Sequence, residues 1–301
     1  MQRLFNVLPD KVSKSIQSLN VNCLQEIRLR ADKPVSVLYH FNKYFLSQYG
    51  VTQKQDDAIV LCQKQVQDVL VKACQHSVHT FSDQLSQGFL MPFGGVRIGV
   101  CGTAVVNDDK VTSIKDVFSL NIRFPHEIKG CSKKFAKLLL CPLQNVLIIS
   151  PPGGGKTTFL RDLVLQSFFC EAKPTVLVSD ERNELAGCVD GVCQFDMGCF
   201  CDVISLAPKH FAFKNSLRTM TPDVLACDEI SNEDISFLYD LSKNGIKLFC
   251  TMHGQTVNDI KQNCHFEVIN HIFDRYVFLN NATNAGVVAG VFDKFFNRLD
   301  L

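Results

Sequence analysis

The apolar positions of this chain follow two different rules in its two halves. In the first, short stretches alternate. Gln25-Glu26-Ile27-Arg28-Leu29-Arg30 reads as a half-buried strand. Val35 to Tyr39 forms a second strand after the turn cluster Ala31-Asp32-Lys33-Pro34, and Tyr44-Phe45-Leu46 extends a hairpin. Val96 to Val105 is a strand interrupted by glycines, Ser119 to Phe124 is another, and Gly88 to Gly95 between helix and strand reads as a loop. Helical spacing occurs twice: a short amphipathic helix from about residue 10, after Pro9, and a longer one from Ile59 to Gln75 carrying Val66, Val69, Leu70 and Ala73.

From about residue 126 the strands are continuous apolar runs, which suits strands buried on both faces of a parallel sheet. Asn145 to Ile149, Thr175 to Ser179, Val224 to Cys227 and Ile246 to Cys250 are the four runs. Helical segments separate them, notably Thr158 to Val164 and Ile235 to Lys243, and a short helix over Lys133 to Leu140 leads in. The pattern predicts an α/β chain: a smaller α+β N-terminal domain over 1–125 and a mostly parallel nucleotide-binding domain over 126–301. Each apolar run ends in a polar cluster, where open parallel sheets bind ligands.

The cluster after the first run is Ser150-Pro151-Pro152-Gly153-Gly154-Gly155-Lys156-Thr157-Thr158. Strand, glycine-rich loop, Lys-Thr and helix are the context of a phosphate-binding loop. Backbone N–H groups turn inward around an anion and the helix N-terminus adds partial positive charge. Lys156 is expected to reach the β- and γ-phosphates of ATP, and the Thr157 hydroxyl to hold Mg²⁺. Ser150 stands where the motif has its first glycine. Asp228-Glu229, ending the third run, supplies one carboxylate for Mg²⁺ and a second to orient the attacking water. Thr251 and His253 end the fourth, placed to sense the γ-phosphate or bond that water. Asp180, Glu181 and Glu184 follow the second run with Arg182 among them, and are read either as groups that position water or metal, or as an ion-paired turn. Arg218 is open between a nucleotide contact and a helix-end arginine. Arg28, Arg30, Arg97 and Arg123 lie on the alternating strands, as solvated faces or as a basic surface that meets phosphate.

Bulk properties narrow the function class. The 301 residues are 46% hydrophobic and carry a net charge of +1, with no Lys/Arg-rich stripe, so no nucleic-acid partner is expected. The first 125 residues hold 14 Lys+Arg against 10 Asp+Glu, the remainder 17 against 20. No apolar run reaches the ~18 residues of a spanning helix, and the first residues hold no secretory h-region. The expectation is a cytoplasmic protein without direct membrane insertion, its 14 cysteines reduced. Cys188, Cys193, Cys199 and Cys201 have spacing C-x4-C-x5-C-x-C, which does not match the paired knuckles of structural zinc.

Several longer motifs resemble one family. Asp180 to Gly187, Leu217 to Val224, Asp228-Glu229-Ile230, Thr251 to Gly254, Glu26 to Ala31, Gly94 to Gly102 and Ser119 to Pro125 look like the stage III sporulation protein AA family. That family in turn resembles the RecA-like P-loop ATPases of type II and type IV secretion and of pilus assembly. The resemblance makes Asp180-Glu181 an acidic box and Thr251-Met252-His253 a histidine box. It implies a cytoplasmic homo-hexamer that docks on a membrane-embedded sporulation or secretion complex. Ser150 departs from the pattern, as do Cys193, Cys199 and Cys201, and no zinc module is carried over. The reading is an ATP hydrolase with Lys156, Glu181, Glu229 and His253 in catalysis and Arg97 or Arg123 neutralising transition-state charge. A RecA-class nucleic-acid translocase and a scaffold with little turnover are the competing readings.

Overall fold

Strands covered on one face alternate and strands covered on both do not, and the chain builds one sheet of each kind. The computed structural model describes residues 2–74, 81–93, 95–124, 128–189, 191–280 and 286–300. It divides into two compact units, Met1–His126 and Glu127–Leu301.

The first unit runs α1 (Gln2–Val7), α2 (Asp10–Gln17), β1 (Leu24–Arg30), β2 (Lys33–Pro34), β3 (Ser36–Tyr39), β4 (Asn42–Ser47), β5 (Gly50–Thr52) and β6 (Val60–Leu61). It continues with α3 (Gln63–Ala73), α4 (Ser82–Ser86), β7 (Phe89–Phe93), β8 (Val96–Asn107) and β9 (Lys110–Arg123). Seven strands form an antiparallel sheet in the order β5-β4-β3-β1-β9-β8-β7. On β1, Ile27 and Leu29 are fully buried while Arg28 between them is exposed. The inward residues join Leu4, Val12, Ile16, Val66, Val69 and Leu70 from the helices in one apolar cluster.

Two expectations for this unit are corrected. The Gly88 to Gly95 segment is not a loop: Phe89–Phe93 pairs with β8 as an edge strand, where Pro92 need not donate to an inner ladder. Gly94 lies outside the described residues. The long helix begins at Gln63, because Val60–Leu61 is a strand paired with Lys33–Pro34; Gln75 lies outside the described residues. Cys62 caps α3, its backbone N–H bonding the Gln65 side chain at 3.0 Å.

The second unit runs α5 (Ala136–Leu140), β10 (Val146–Ser150), α6 (Lys156–Ser167), β11 (Val176–Asp180), β12 (Cys201–Ser205), α7 (Lys209–Asn215), β13 (Val224–Cys227) and α8 (Ile235–Lys243). It ends with β14 (Lys247–His253), α9 (Val257–Lys261), α10 (Phe266–Ile272), β15 (Arg275–Leu279), β16 (Val288–Asp293) and β17 (Arg298–Leu299). The sheet order is β12-β11-β13-β14-β10-β15-β16-β17. Strands β12 through β15 are parallel in that order, and β16 and β17 are antiparallel.

β10 is central and all five of its residues are buried. Val146 and Ile148 join a cluster with Phe159, Leu160, Leu163 and Val164 of α6; Leu147 and Ile149 join one with Ile235, Leu238 and Leu241 of α8 and Ile269 and Ile272 of α10. β14 extends three residues beyond the expected run, so Thr251, Met252 and His253 are on the strand and Ser150 is paired in register with His253. Asn145 fastens the base of the sheet. Its Nδ2 donates to the Ile272 carbonyl at 2.8 Å and its Oδ1 accepts from Leu248 N–H at 3.0 Å.

Because Asn145 is buried, its replacement by Leu leaves that carbonyl and that N–H unpaired. Urea unfolding of Asn145→Leu is expected to show a loss of about 3 kcal/mol; an unchanged midpoint would refute the assignment.

Candidate functional site

The phosphate loop is built by the end of β10 and the start of α6. Gly155 caps the helix with φ +92°, a left-handed conformation suited to glycine, and its carbonyl accepts Phe159 N–H at 2.9 Å. Ser150 is fully buried and its Oγ donates to the Pro151 carbonyl at 2.8 Å. A Cβ at Gly154 would lie 2.0 Å from that same Oγ. The serine therefore occupies the space left by the missing side chain of Gly154. Gly286 N–H, from the segment preceding β16, donates to the Gly154 carbonyl at 3.0 Å. Pro151 is buried, Pro152 and Gly153 are exposed, and Thr157 and Thr158 are half-buried. The cradle fits a phosphate chain: a glycine where a side chain has no room, at the N-terminus of a 12-residue helix.

Lys156 is buried, and its ammonium donates to the Ser150 carbonyl at 3.2 Å and meets His253 Nδ1 at 3.1 Å. Burial lowers its pKa, and the neighbouring charges of Asp228 and Glu229 oppose the shift. An ammonium has only donors, so His253 Nδ1 accepts and Nε2 carries the proton. That Nε2 lies 3.2 Å from Glu229 Oε1. The imidazole thus joins the loop lysine to the glutamate.

Asp228 joins three elements. Thr157 Oγ1 donates to its Oδ2 at 2.5 Å, and Thr251 Oγ1 donates to its Oδ1. Thr157 and Asp228 form a hard oxygen donor set, the kind Mg²⁺ takes together with phosphate and water. Glu229 follows with φ +48°; its N–H donates to Thr251 Oγ1 at 2.8 Å and its Oε2 pairs with Arg182 at 2.6 Å.

Asp180 is used differently from its neighbours. Its buried carboxylate accepts N–H bonds from Glu184 at 2.8 Å, Leu185 at 3.0 Å and Ala186 at 2.8 Å. Burial raises its pKa, and these N–H bonds oppose the rise. Asp180 therefore folds the acidic turn, while Glu181 is exposed toward Lys209 at 3.9 Å. Arg161 of α6 grips the same turn, donating to the Glu184 carbonyl at 2.6 Å and the Leu185 carbonyl at 2.7 Å. Asp180, Glu181, Arg182, Lys209, Asp228 and Glu229 line one small cavity.

The second unit thus brings together Lys156, Thr157, Asp228, Glu229, Thr251 and His253. Lys209, Arg161 and Gly286 were missed by sequence reasoning. Lys209 follows an ordinary Pro at a helix start, and only the fold sets it beside Glu229. Arg97 and Arg123 lie in the first unit as cross-strand partners, Arg97 stacked over Phe89 at 4.3 Å. Arg28 pairs with Glu26, and Arg30 donates to Ser36 Oγ at 3.2 Å. Arg218 is exposed on a single π-helical turn, Ser216–Met220. Cys188 and Cys193 bring their sulfurs to 3.4 Å, and burial pushes the Cys188 and Cys201 thiols up to about 12. Among the described residues no group of three or more His, Cys, Asp and Glu side chains is arranged to hold a metal.

The fold, a mostly parallel α/β unit preceded in the chain by a smaller α+β unit, is shared with a solved ATPase and a solved pilus motor. The Legionella pneumophila ATPase DotB superposes with a TM-score of 0.60 at 14% identity, over 90% of this chain and 76% of that one. The pilus retraction motor PilT with bound ADP gives 0.59 at 15% identity, over 89% and 76%. The family described as "Sporulation stage III, protein AA" matches residues 1–299, and the chain belongs to it. Stage III sporulation protein AA of Bacillus subtilis (strain 168) is 29% identical over 311 residues, spanning 99% of this chain and 97% of that protein.

The Ser150–Gly154 contact gives a reciprocal test. Gly154→Ala is expected to weaken binding of a fluorescent ATP analogue by about 100-fold, roughly 3 kcal/mol. Adding Ser150→Gly, which removes the clashing atoms, is expected to restore most of the affinity; a double variant as weak as the single one would show that the contact is not the cause.

Proposed function

We propose that this protein is a Mg²⁺-dependent ATP hydrolase that drives a membrane-associated, secretion-like assembly during endospore formation. The observation that carries this reading is the convergence of Lys156, Glu229 and His253 within hydrogen-bond reach, beside Thr157 and Asp228. Lys156 and the N–H groups of the loop over 150–158 bind the β- and γ-phosphates. Thr157 and Asp228 would hold Mg²⁺, which when bound neutralises charge on the phosphate oxygens. Glu229 orients the attacking water and draws its proton. His253 accepts from Lys156 and donates to Glu229, so it holds both side chains at the reacting end of the phosphate chain. Glu181 adds a carboxylate to the small cavity that Asp228 and Glu229 also line. Arg97 or Arg123, from this or another copy of the chain, supplies positive charge to the transition state.

Family membership supports the sporulation setting, and the fold shared with DotB and PilT supports nucleotide use. Among the described residues no helix is long and apolar enough to cross a membrane. We propose a cytoplasmic homo-hexamer that acts on the membrane through protein partners. Mass measurement with and without a non-hydrolysable ATP analogue tests this; a persistent monomer under both conditions would refute the hexamer and an arginine supplied by another copy.

Glu229→Gln keeps the size of the side chain and loses its basicity. It is expected to lower kcat for ATP by about 100-fold or more, with nucleotide affinity within about threefold of wild type. Comparable turnover in the two proteins would favour a nucleotide-binding scaffold.

A further inference from the structure

Glu229 sits in a conformation that side-chain-bearing residues adopt only uncommonly. Its φ of +48° is left-handed, a strain that persists only where the surroundings hold it. On the N-terminal side the hold is Thr251, whose Oγ1 accepts Glu229 N–H at 2.8 Å. On the C-terminal side it is Lys209, whose ammonium donates to the Glu229 carbonyl at 2.6 Å. Lys209 is nearly buried, its side chain 13% exposed, and its ammonium is fixed by Asp234 Oδ2 at 3.2 Å with Glu181 Oε2 at 3.9 Å. Asp234 is itself tied down, accepting Ser231 N–H at 2.8 Å and Ser231 O–H at 3.0 Å just before α8.

A lysine at an ordinary surface would gain nothing from this arrangement. A cation held against a backbone carbonyl sets the peptide plane, and the peptide plane sets where the Glu229 side chain leaves the chain. We infer that Lys209 is a positioning residue for ATP hydrolysis: it locks the backbone of Glu229 so that the carboxylate is aimed at the attacking water, and it links that lock to Glu181 of the acidic turn. This inference rests on the hydrolase reading above. In this role Lys209 acts through the Glu229 backbone, so its removal is expected to affect the chemical step and leave nucleotide binding in place.

The test uses the full chain as wild type, Lys209→Met and Lys209→Arg. Steady-state ATPase rates give kcat and KM, and a fluorescent ADP analogue gives affinity. Lys209→Met is expected to lower kcat by about 30-fold to 100-fold, the scale of an ångström-level misplacement of a catalytic group. Affinity is expected to stay within about threefold, a split that separates chemistry from binding. Lys209→Arg, which keeps a charged donor, is expected to recover most of the rate. Thermal melting accompanies each variant, and if the Met variant does not fold, Lys209→Leu, which also lacks a donor, is read in the same way. Wild-type kcat in the Met or Leu variant would overturn the inference. So would a parallel fall in kcat and affinity without rescue by Arg, which marks general support of the fold. A wild type that binds nucleotide without turnover would overturn the hydrolase reading and the inference with it.

Discussion

The carboxylate of Asp228 is the point on which the site depends. It accepts the hydroxyl of Thr157 at the start of α6 and the hydroxyl of Thr251 on β14, while its own chain leaves β13. Three elements that are far apart in sequence are thereby set to one another at a single group. The parallel register makes this possible: Cys227 pairs with Cys250, and Ser150 pairs with His253. A slip of one residue would turn every side chain of the strand to the opposite face. The acidic group would then point away from the phosphate loop. Because both faces of the sheet are apolar, alternation alone does not fix the register; the sizes of the side chains that fill two separate, closely packed cores do.

Around that point the polar groups are few and closely connected. Lys156 lies largely out of water, yet its ammonium has the Ser150 carbonyl and the His253 ring as acceptors. In such surroundings a satisfied hydrogen bond is stronger and an unsatisfied one more costly than at the surface. This explains why the chain tolerates a left-handed glutamate here: its N–H and its carbonyl both have strong partners, so neither is left unpaired in the strained geometry.

Much of this was legible in the amino-acid sequence because it is written locally. The loop over 150–158 and the pairs Asp228-Glu229 and Thr251-His253 each follow an unbroken apolar run, and a run buried on both faces announces both the strand and its end. Elements whose signal is non-local were harder to see. Phe89–Phe93 has proline and flanking glycines and reads as a loop, but as an edge strand it needs only one neighbour. The antiparallel strands Val288–Asp293 and Arg298–Leu299 have short, mixed sequences and no loop signature. Lys209 and Arg161 had no motif at all, since each acts on the site through a backbone carbonyl, and any residue offers a carbonyl. Ser150 was readable as an irregularity and became intelligible only with the spatial neighbour it fills against, Gly154.

Arg161 has a mechanical consequence. It projects from the helix that begins at the phosphate loop, stacks on Phe195 at 3.8 Å and holds two successive carbonyls of the acidic turn. A guanidinium held by a ring and two carbonyls has little room to slide. Helix and turn are therefore tied as a handle is to its blade: a shift of α6 carries with it the donor on which the Glu184 and Leu185 carbonyls depend.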